Sequence, residues 1–346
     1  MKTFSLPSPR RFFPGTDRRG RACPTRCPQL ADAALRAPRC DRVPPGFTLI
    51  EILVVITLLS IIVLGLLTMF TQTQKAFRTG LTQADVLASG RVATDMIVRE
   101  LEQITPTRRG AVNFDAWYPN YRPLEQALPG SALKRTNMLE DLFFVTRRNR
   151  EWIGIGYFVR HHDQTTGAVQ SPSLAIAPAP NILSAGTLYR FEATVTDLPT
   201  FRGPDYLYSL YLNAAYTNFW PLNSLPVAKV VDGVVNFKIR AYNTNGVWIT
   251  NDWGANGVSY SGLQTNTDIR ISGRVPGEVG QYRFYSNAVP AAVELEIGIL
   301  EDKAWDRFKG LPTDVAKHNY VSDLVGRVHL FRQRVQVRNV DPLAYQ

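Results

Sequence analysis

The chain has 346 residues, 45% of them hydrophobic and 20% charged, with 39 Lys and Arg against 29 Asp and Glu, a formal net charge of +10. That composition excludes a chain disordered throughout and is enough for one large or two ordinary globular domains. The charge invites a nucleic-acid reading until its placement along the chain is examined.

Residues 1–46 hold ten basic side chains against three acids, net +7, together with Cys23, Cys27 and Cys40, the three cysteines of the chain. The other 300 residues carry 29 basic and 26 acidic side chains, net +3. So small an excess gives no strong phosphate-tracking field, and nucleic acid is not an expected partner. The three thiols sit in a Pro/Arg-rich segment with no histidine nearby, so their faintly zinc-like spacing reads as incidental.

At Val43-Pro44-Pro45-Gly46 the composition changes abruptly. The sequence from Phe47 reads FTLIEILVVITLLSIIVLGLLTMFTQTQK, and Ile52–Phe70 is a run of 19 residues without a charge. As a helix it spans roughly 28 Å, about the thickness of a bilayer's hydrocarbon core. The basic side precedes it, so the positive-inside rule puts residues 1–46 in the cytoplasm and the residues after about Lys75 on the other side. Glu51, at the cytoplasmic edge of the run, calls for a partner, because a carboxylate there costs a few kcal/mol. A cut after Gly46 creates an α-amino group at Phe47, a cation able to pair with Glu51 in the same helix or in a neighbouring subunit.

The string Gly46-Phe47-Thr48-Leu49-Ile50-Glu51 followed by an apolar helix resembles the type IV prepilin signal shared by pilins and type II secretion pseudopilins. The resemblance implies cleavage between Gly46 and Phe47 by a prepilin peptidase, N-methylation of Phe47, and a Glu51 that pairs with a neighbour's N-terminus during filament assembly. It also implies three segments: a leader over 1–46, a long helix over 47–105 with its transmembrane part at about 52–70, and a head over 107–346. The leader is long for this family, and its last basic residue, Arg42, is separated from Gly46 by Val43-Pro44-Pro45.

Between Lys75 and Ile104 there is no proline, and Val86, Gly90, Ala93, Ile97, Leu101 and Ile104 recur at steps of three and four, with Asp85, Arg91, Asp95, Arg99, Glu100 and Glu102 on other faces. This predicts an amphipathic continuation of the helix, ended by Pro106, with its apolar stripe against the head. Beyond Gly110 the period becomes two. Leu142–Arg147, Trp152–Arg160, Leu188–Val195, Val234–Tyr242, Val293–Ile299 and Val328–Val337 read as strands, with a hairpin turn at Arg148-Asn149-Arg150 and a Pro/Ala/Ser-rich surface loop between Arg160 and Leu188. The fold class expected is α+β: one long N-terminal helix, membrane-spanning in its first half, packed on a mainly antiparallel sheet.

The order of these elements, with the strings GRVATDMIVRELEQI, LFFVTR, VVDGVVNFKIRAYNTNGVWI and AVPAAVELEIGILED, resembles the minor pseudopilin J of type II secretion. It is also similar to the prepilin-like proteins of short verrucomicrobial gene cassettes. The implied function is that of a non-enzymatic filament subunit held in the bacterial inner membrane, its head periplasmic, with the peptidase, other pilins or pseudopilins and membrane lipid as partners. A minor type IV pilin in pilus assembly, adhesion or DNA uptake is the second reading; a membrane-anchored periplasmic enzyme or binding domain is the third.

Chemistry-bearing clusters in the head are few. His161-His162-Asp163 offers two ligands and a carboxylate, but adjacent strand side chains point apart. Asp252 and Asp268 are candidate calcium carboxylates in stretches whose Asn, Gly and Thr equally suit plain turns, so no metal or other cofactor is assigned. Arg147, Arg148 and Arg150, with Arg108 and Arg109, form a candidate basic patch. Tyr206, Tyr208, Tyr211, Tyr216, Phe219 and Trp220 concentrate in a segment that reads as turn-rich and as a satellite core. None of the GxSxG, HExxH or phosphate-cradling glycine motifs occurs in the head, and no catalytic residue is assigned.

Overall fold

The computed structural model describes residues 46–108, 110–119, 123–162, 169–170, 183–196, 203–216, 226–250, 268–275 and 278–345. The chain divides into two compact units, Met1–Gly65 and Leu66–Gln346, with the boundary inside helix α1, Leu49–Leu101. In the first unit, Gly46–Thr48 lie outside the helix, and the helical residues that follow are exposed on every face.

The second unit is built on twelve strands among the described residues: β1 Val112–Trp117, β2 Leu124–Ala127, β3 Lys134–Asn137, β4 Asp141–Arg148, β5 Glu151–His162, β6 Val169–Gln170, β7 Gly186–Thr196, β8 Val227–Tyr242, β9 Ile269–Val275, β10 Glu278–Tyr285, β11 Ala292–Leu300 and β12 Val328–Gln336. Nine form one antiparallel path in the order β12-β11-β8-β7-β5-β4-β1-β10-β9, β6 pairs with β5 off that path, and β2 and β3 form a separate hairpin. The six expected strands are all present. The expected hairpin turn is also there, with Asn149 at φ 56°, a left-handed value that asparagine adopts more readily than most residues.

The sheet is covered on both faces, and the strands show it. In β4 Asp141–Thr146 are all buried: Leu142 and Phe144 join one apolar cluster, Phe143 and Val145 the other. A strand covered on both sides reads as a continuous apolar run, as LFFV does. The first cluster takes the expected stripe of α1, and Thr94 and Val98 widen that stripe. The opposite cluster is closed by α2, Gly203–Tyr216, which corrects the turn-rich reading of that segment. Leu207, Tyr211, Ala214 and Ala215 are buried at steps of four, three and one, a helical face with Pro204 in its first turn. Close approach of α2 needs Gly156, where a Cβ would sit 2.2 Å from Cε2 of Tyr211. Two further helices, α3 Asp302–Lys309 and α4 Asp314–Ser322, bury Trp305, Phe308 and Val321 against Leu124, Val235 and Leu300.

α1 stops at Leu101, before the expected end near 105, because the chain is already pairing with the sheet. Ile104 bridges to Thr146, and the Thr105 N–H donates to the Val145 carbonyl at 3.0 Å. The C-terminal arm closes this helix end: the Asn339 amide donates to the Ile104 carbonyl at 3.0 Å, and Arg338 pairs with Glu102. Glu100, expected on the solvent face, is half-buried instead, bound to Arg190 of β7 at 2.6 Å and to the Tyr157 hydroxyl.

Candidate functional site

Of the residues singled out in the sequence, Gly46, Phe47 and Glu51 come together at the start of α1. Thr48 is the N-cap and Glu51 the third helical residue, and they bond reciprocally. The Thr48 N–H and hydroxyl both donate to Glu51 Oε2 at 2.9 Å, while the Glu51 N–H donates to Thr48 Oγ1 at 3.4 Å. This is a capping box, which satisfies helix-start donors that have no partner within the helix. The Gly46–Phe47 peptide bond lies two residues outside it. Phe47 is 84% exposed, and among the described residues nothing lies within 4 Å of the position a Cβ at Gly46 would take, so the described residues leave the Phe47 side of the bond uncovered.

The apolar run behind the box is as exposed as the box itself. Every large hydrophobic residue from Ile52 to Phe70 is exposed, and the 18-residue window of highest hydropathy has none of its residues buried. Its polar interruptions are self-contained: the Thr57 hydroxyl donates to the Val54 carbonyl and the Ser60 hydroxyl to the Ile56 carbonyl, both at 2.8 Å. Hydroxyls bonded within their own helix can enter hydrocarbon without leaving a donor unmet. The helix is long and apolar enough to cross a membrane.

The other candidates separate. The cysteines, Arg109, Asp163, Phe219, Trp220 and Asp252 lie outside the described residues. His161 and His162 end β5 in register with Gln170 and Val169. The Asp268 carbonyl accepts the Tyr285 N–H at 2.7 Å in the turn before β9, and no cluster of three or more potential metal-ligating residues occurs among the described residues. Tyr208, Tyr211 and Tyr216 belong to the α2 core, where burial pushes all three phenols up. Arg108 and Arg147, which the sequence groups with other arginines, do share one cleft.

Sequence reasoning gave no sign of the buried polar clamps in the head. Arg160 and Asp141, each about 1% exposed, form a bidentate pair at 2.7 and 2.8 Å. The Tyr216 hydroxyl also donates to Asp141, and Arg160 donates to the Ala215 carbonyl at the C-terminal end of α2. From the middle of α2, the Tyr208 hydroxyl reaches Asp115, which also binds Arg283 at 2.8 Å. Burial raises the Asp115 carboxyl above its usual range, even though the Arg283 charge and three hydrogen bonds act the other way.

Residues 45–67 match the family model described as the prokaryotic N-terminal methylation motif. No curated protein and no solved structure matches the chain. The matched segment contains the capping box, the Gly46–Phe47 bond and most of the apolar run, and it supports a type IV prepilin-like chain and a pilin-like subunit.

Proposed function

We propose that this chain is a non-enzymatic minor pseudopilin of a type II secretion-like apparatus, cleaved after Gly46, N-methylated at Phe47 and assembled into a periplasmic filament through Glu51. The observation that carries the reading is one of register: a methylation motif whose Gly46–Phe47 bond stands four residues ahead of a carboxylate, itself followed directly by an exposed apolar helix.

Cleavage changes the electrostatics of this helix start. Before it, Glu51 takes hydrogen bonds from the Thr48 N–H and hydroxyl, and no cation pairs with it among the described residues. After it, the Phe47 amine is a cation, and methylation keeps the charge. When the apolar surface passes from lipid to neighbouring helices, a carboxylate and an ammonium from adjacent subunits neutralise each other where either alone costs a few kcal/mol. The pair then sets the axial register between subunits. The head selects neighbours and cargo, and its lack of cysteine excludes the intramolecular disulfide loop of many major type IV pilins.

Mass spectrometry of the mature N-terminus in cells with active peptidase tests processing, and an intact Gly46–Phe47 bond would overturn the reading. Deletion of the gene, scored for exported enzymes alongside twitching and DNA uptake, separates a secretion subunit from a minor pilin. Lost export with normal twitching and uptake is the expected result.

A further inference from the structure

The long sheet ends on β12, a nine-residue strand that among the described residues pairs on one side only, with β11. Two bonds at its ends fix its phase. The Val337 N–H donates to the Ala291 carbonyl and the Glu301 N–H to the Arg327 carbonyl, both at 3.1 Å and both in the register that joins the two strands. Facing residues of an antiparallel ladder alternate between bonded and non-bonded pairs, so His329, Phe331, Gln333 and Val335 turn their N–H and carbonyl groups to β11. Leu330, Arg332, Arg334 and Gln336 turn theirs outward, where no described residue meets them, and all four are exposed. Such a row of unmet backbone donors and acceptors is a template for a further strand.

The side chains decide which strand fits. On one face of the sheet Arg240, Glu294 and Arg334 stand opposite one another on β8, β11 and β12, and Lys238, Glu296 and Arg332 form the next row. Each row runs basic, acidic, basic and stops at the edge on an arginine. Glu294 shows what an acid between two bases does, pairing with Arg240 at 3.3 Å and with Arg332 at 2.6 Å. We infer that the β12 edge takes up an extended segment of another protein, carrying two acidic side chains two positions apart that face Arg332 and Arg334 and continue both rows. Neither arginine has to leave its present partner. A guanidinium has five N–H donors, and Arg332 reaches Glu294, and Arg334 the Gly246 carbonyl, through one nitrogen each. Leu330, exposed on the same face, adds an apolar contact for an aliphatic residue of the incoming strand. A second copy of this chain is the wrong occupant: β12 against β12 brings arginines together, and β9, at the other end of the sheet, carries Arg270 and Arg274 and no acid. Like charges directly opposite destabilise a strand pair. The inference does not depend on the filament reading, since every residue it uses lies in the second unit.

The test uses the full chain in detergent micelles at low salt and the peptide Thr-Thr-Glu-Thr-Glu-Thr-Val-Thr, which in antiparallel pairing sets its glutamates opposite Arg334 and Arg332 and its valine opposite Leu330. Amide exchange is read residue by residue. The peptide is expected to protect the outward N–H groups of Leu330, Arg332 and Arg334 by roughly tenfold and to leave Phe331, Gln333 and Val335, already bonded to β11, unchanged. Side-chain contact alone would not alternate in this way. A peptide with lysine in place of both glutamates should bind roughly tenfold more weakly, and Arg334→Gln should weaken the glutamate peptide about threefold, the scale of one cross-strand charge pair. Leu330→Pro removes an outward N–H and spares the β11 ladder, so it should fold and lose the protection at Arg332. Arg270→Gln on β9 should bind as the parent does. The inference is overturned by a parent that does not bind, by protection that does not alternate, by equal binding of the lysine peptide, or by a loss in Arg270→Gln and not in Arg334→Gln. Protection of the same amides in the peptide-free chain that rises with its concentration would also overturn it, since a second copy would then hold the edge.

Discussion

The Phe331 ring of edge strand β12 fills the space that a side chain at position 90 of α1 would need: a Cβ there would lie 2.2 Å from Cε2 and 2.3 Å from Cζ. A glycine in mid-helix gives up about 1 kcal/mol of helix propensity relative to alanine, and here that loss makes room for an aromatic ring. Gly90→Ala is therefore expected to destabilise the head by about 1 kcal/mol net, since overpacking costs roughly 1–3 kcal/mol against the propensity gained. Adding Phe331→Leu should recover most of the loss. Denaturant midpoints of the two variants and the double variant decide it, and a stabilised Gly90→Ala would refute the packing argument.

Two buried polar clamps tie α2 to the sheet, one at its C-terminal end through Ala215 and Tyr216 and one at mid-helix through Tyr208. Arg160→Met leaves Asp141 buried with only Tyr216 for a partner, and breaking a buried pair from one side costs about 3–5 kcal/mol. Tyr216→Phe removes one hydrogen bond to a charged acceptor, about 1.5–3 kcal/mol. Hydrogen exchange across Gly203–Tyr216 should accelerate strongly in the first variant and mildly in the second. Equal protection in both would remove the clamp from the account.

These clamps also mark where the sequence stops being readable. The buried stripe of α1 is visible by its helical spacing, β8 and β11 by alternation, and β4 by the continuous apolar run that cover on both faces allows. α2 is hidden by its composition: tyrosines, Pro204, Asp205 and Asn213 suggest turns, while its helical face is only four residues wide. β1 is hidden by buried Asn113 and Asp115, polar residues whose partners are supplied from elsewhere in the fold. Glu100 reads as solvent-facing because Arg190 lies 90 residues further on. At the start of α1 the reverse holds: among the described residues Thr48 and Glu51 bond to each other three positions apart, so the candidate site is written locally.

Acid stability should depend on Glu294. Burial works to raise its carboxyl, but the bond and charge of Arg332, the Tyr242 hydroxyl and the Arg240 charge outweigh that and hold it below the ordinary range. A carboxyl lowered in the folded state adds stability above its unfolded value, about 4.3, and that stability is lost as the pH falls through the folded value. Asp115, raised by burial, has the opposite sign: its contribution is full below about 3.9 and is lost as the pH rises through its folded value. Glu294→Gln is expected to lower the urea midpoint at pH 7 and to flatten its fall below about pH 4. An unchanged acid limb would show that the shift is not expressed in stability.

The capping box gives Thr48 an effect separable from that of Glu51. Thr48→Val keeps the N–H that donates to Glu51 but removes the hydroxyl that both donates to Glu51 and accepts its N–H. Loss of an N-cap costs about 1 kcal/mol, roughly a fivefold rise in local opening. Amide exchange at Leu49–Glu51 in micelles should rise by that factor in Thr48→Val and stay near the parent's in Thr48→Ser. Glu51→Ala also opens the box, so fraying alone does not distinguish the two positions. Filament incorporation does: Thr48→Val retains the carboxylate that meets a neighbour's Phe47 ammonium and should assemble, whereas Glu51→Ala should remain in the membrane outside filaments. If Thr48→Val fails to assemble as completely as Glu51→Ala, the cap and not the charge pair is the step that assembly requires.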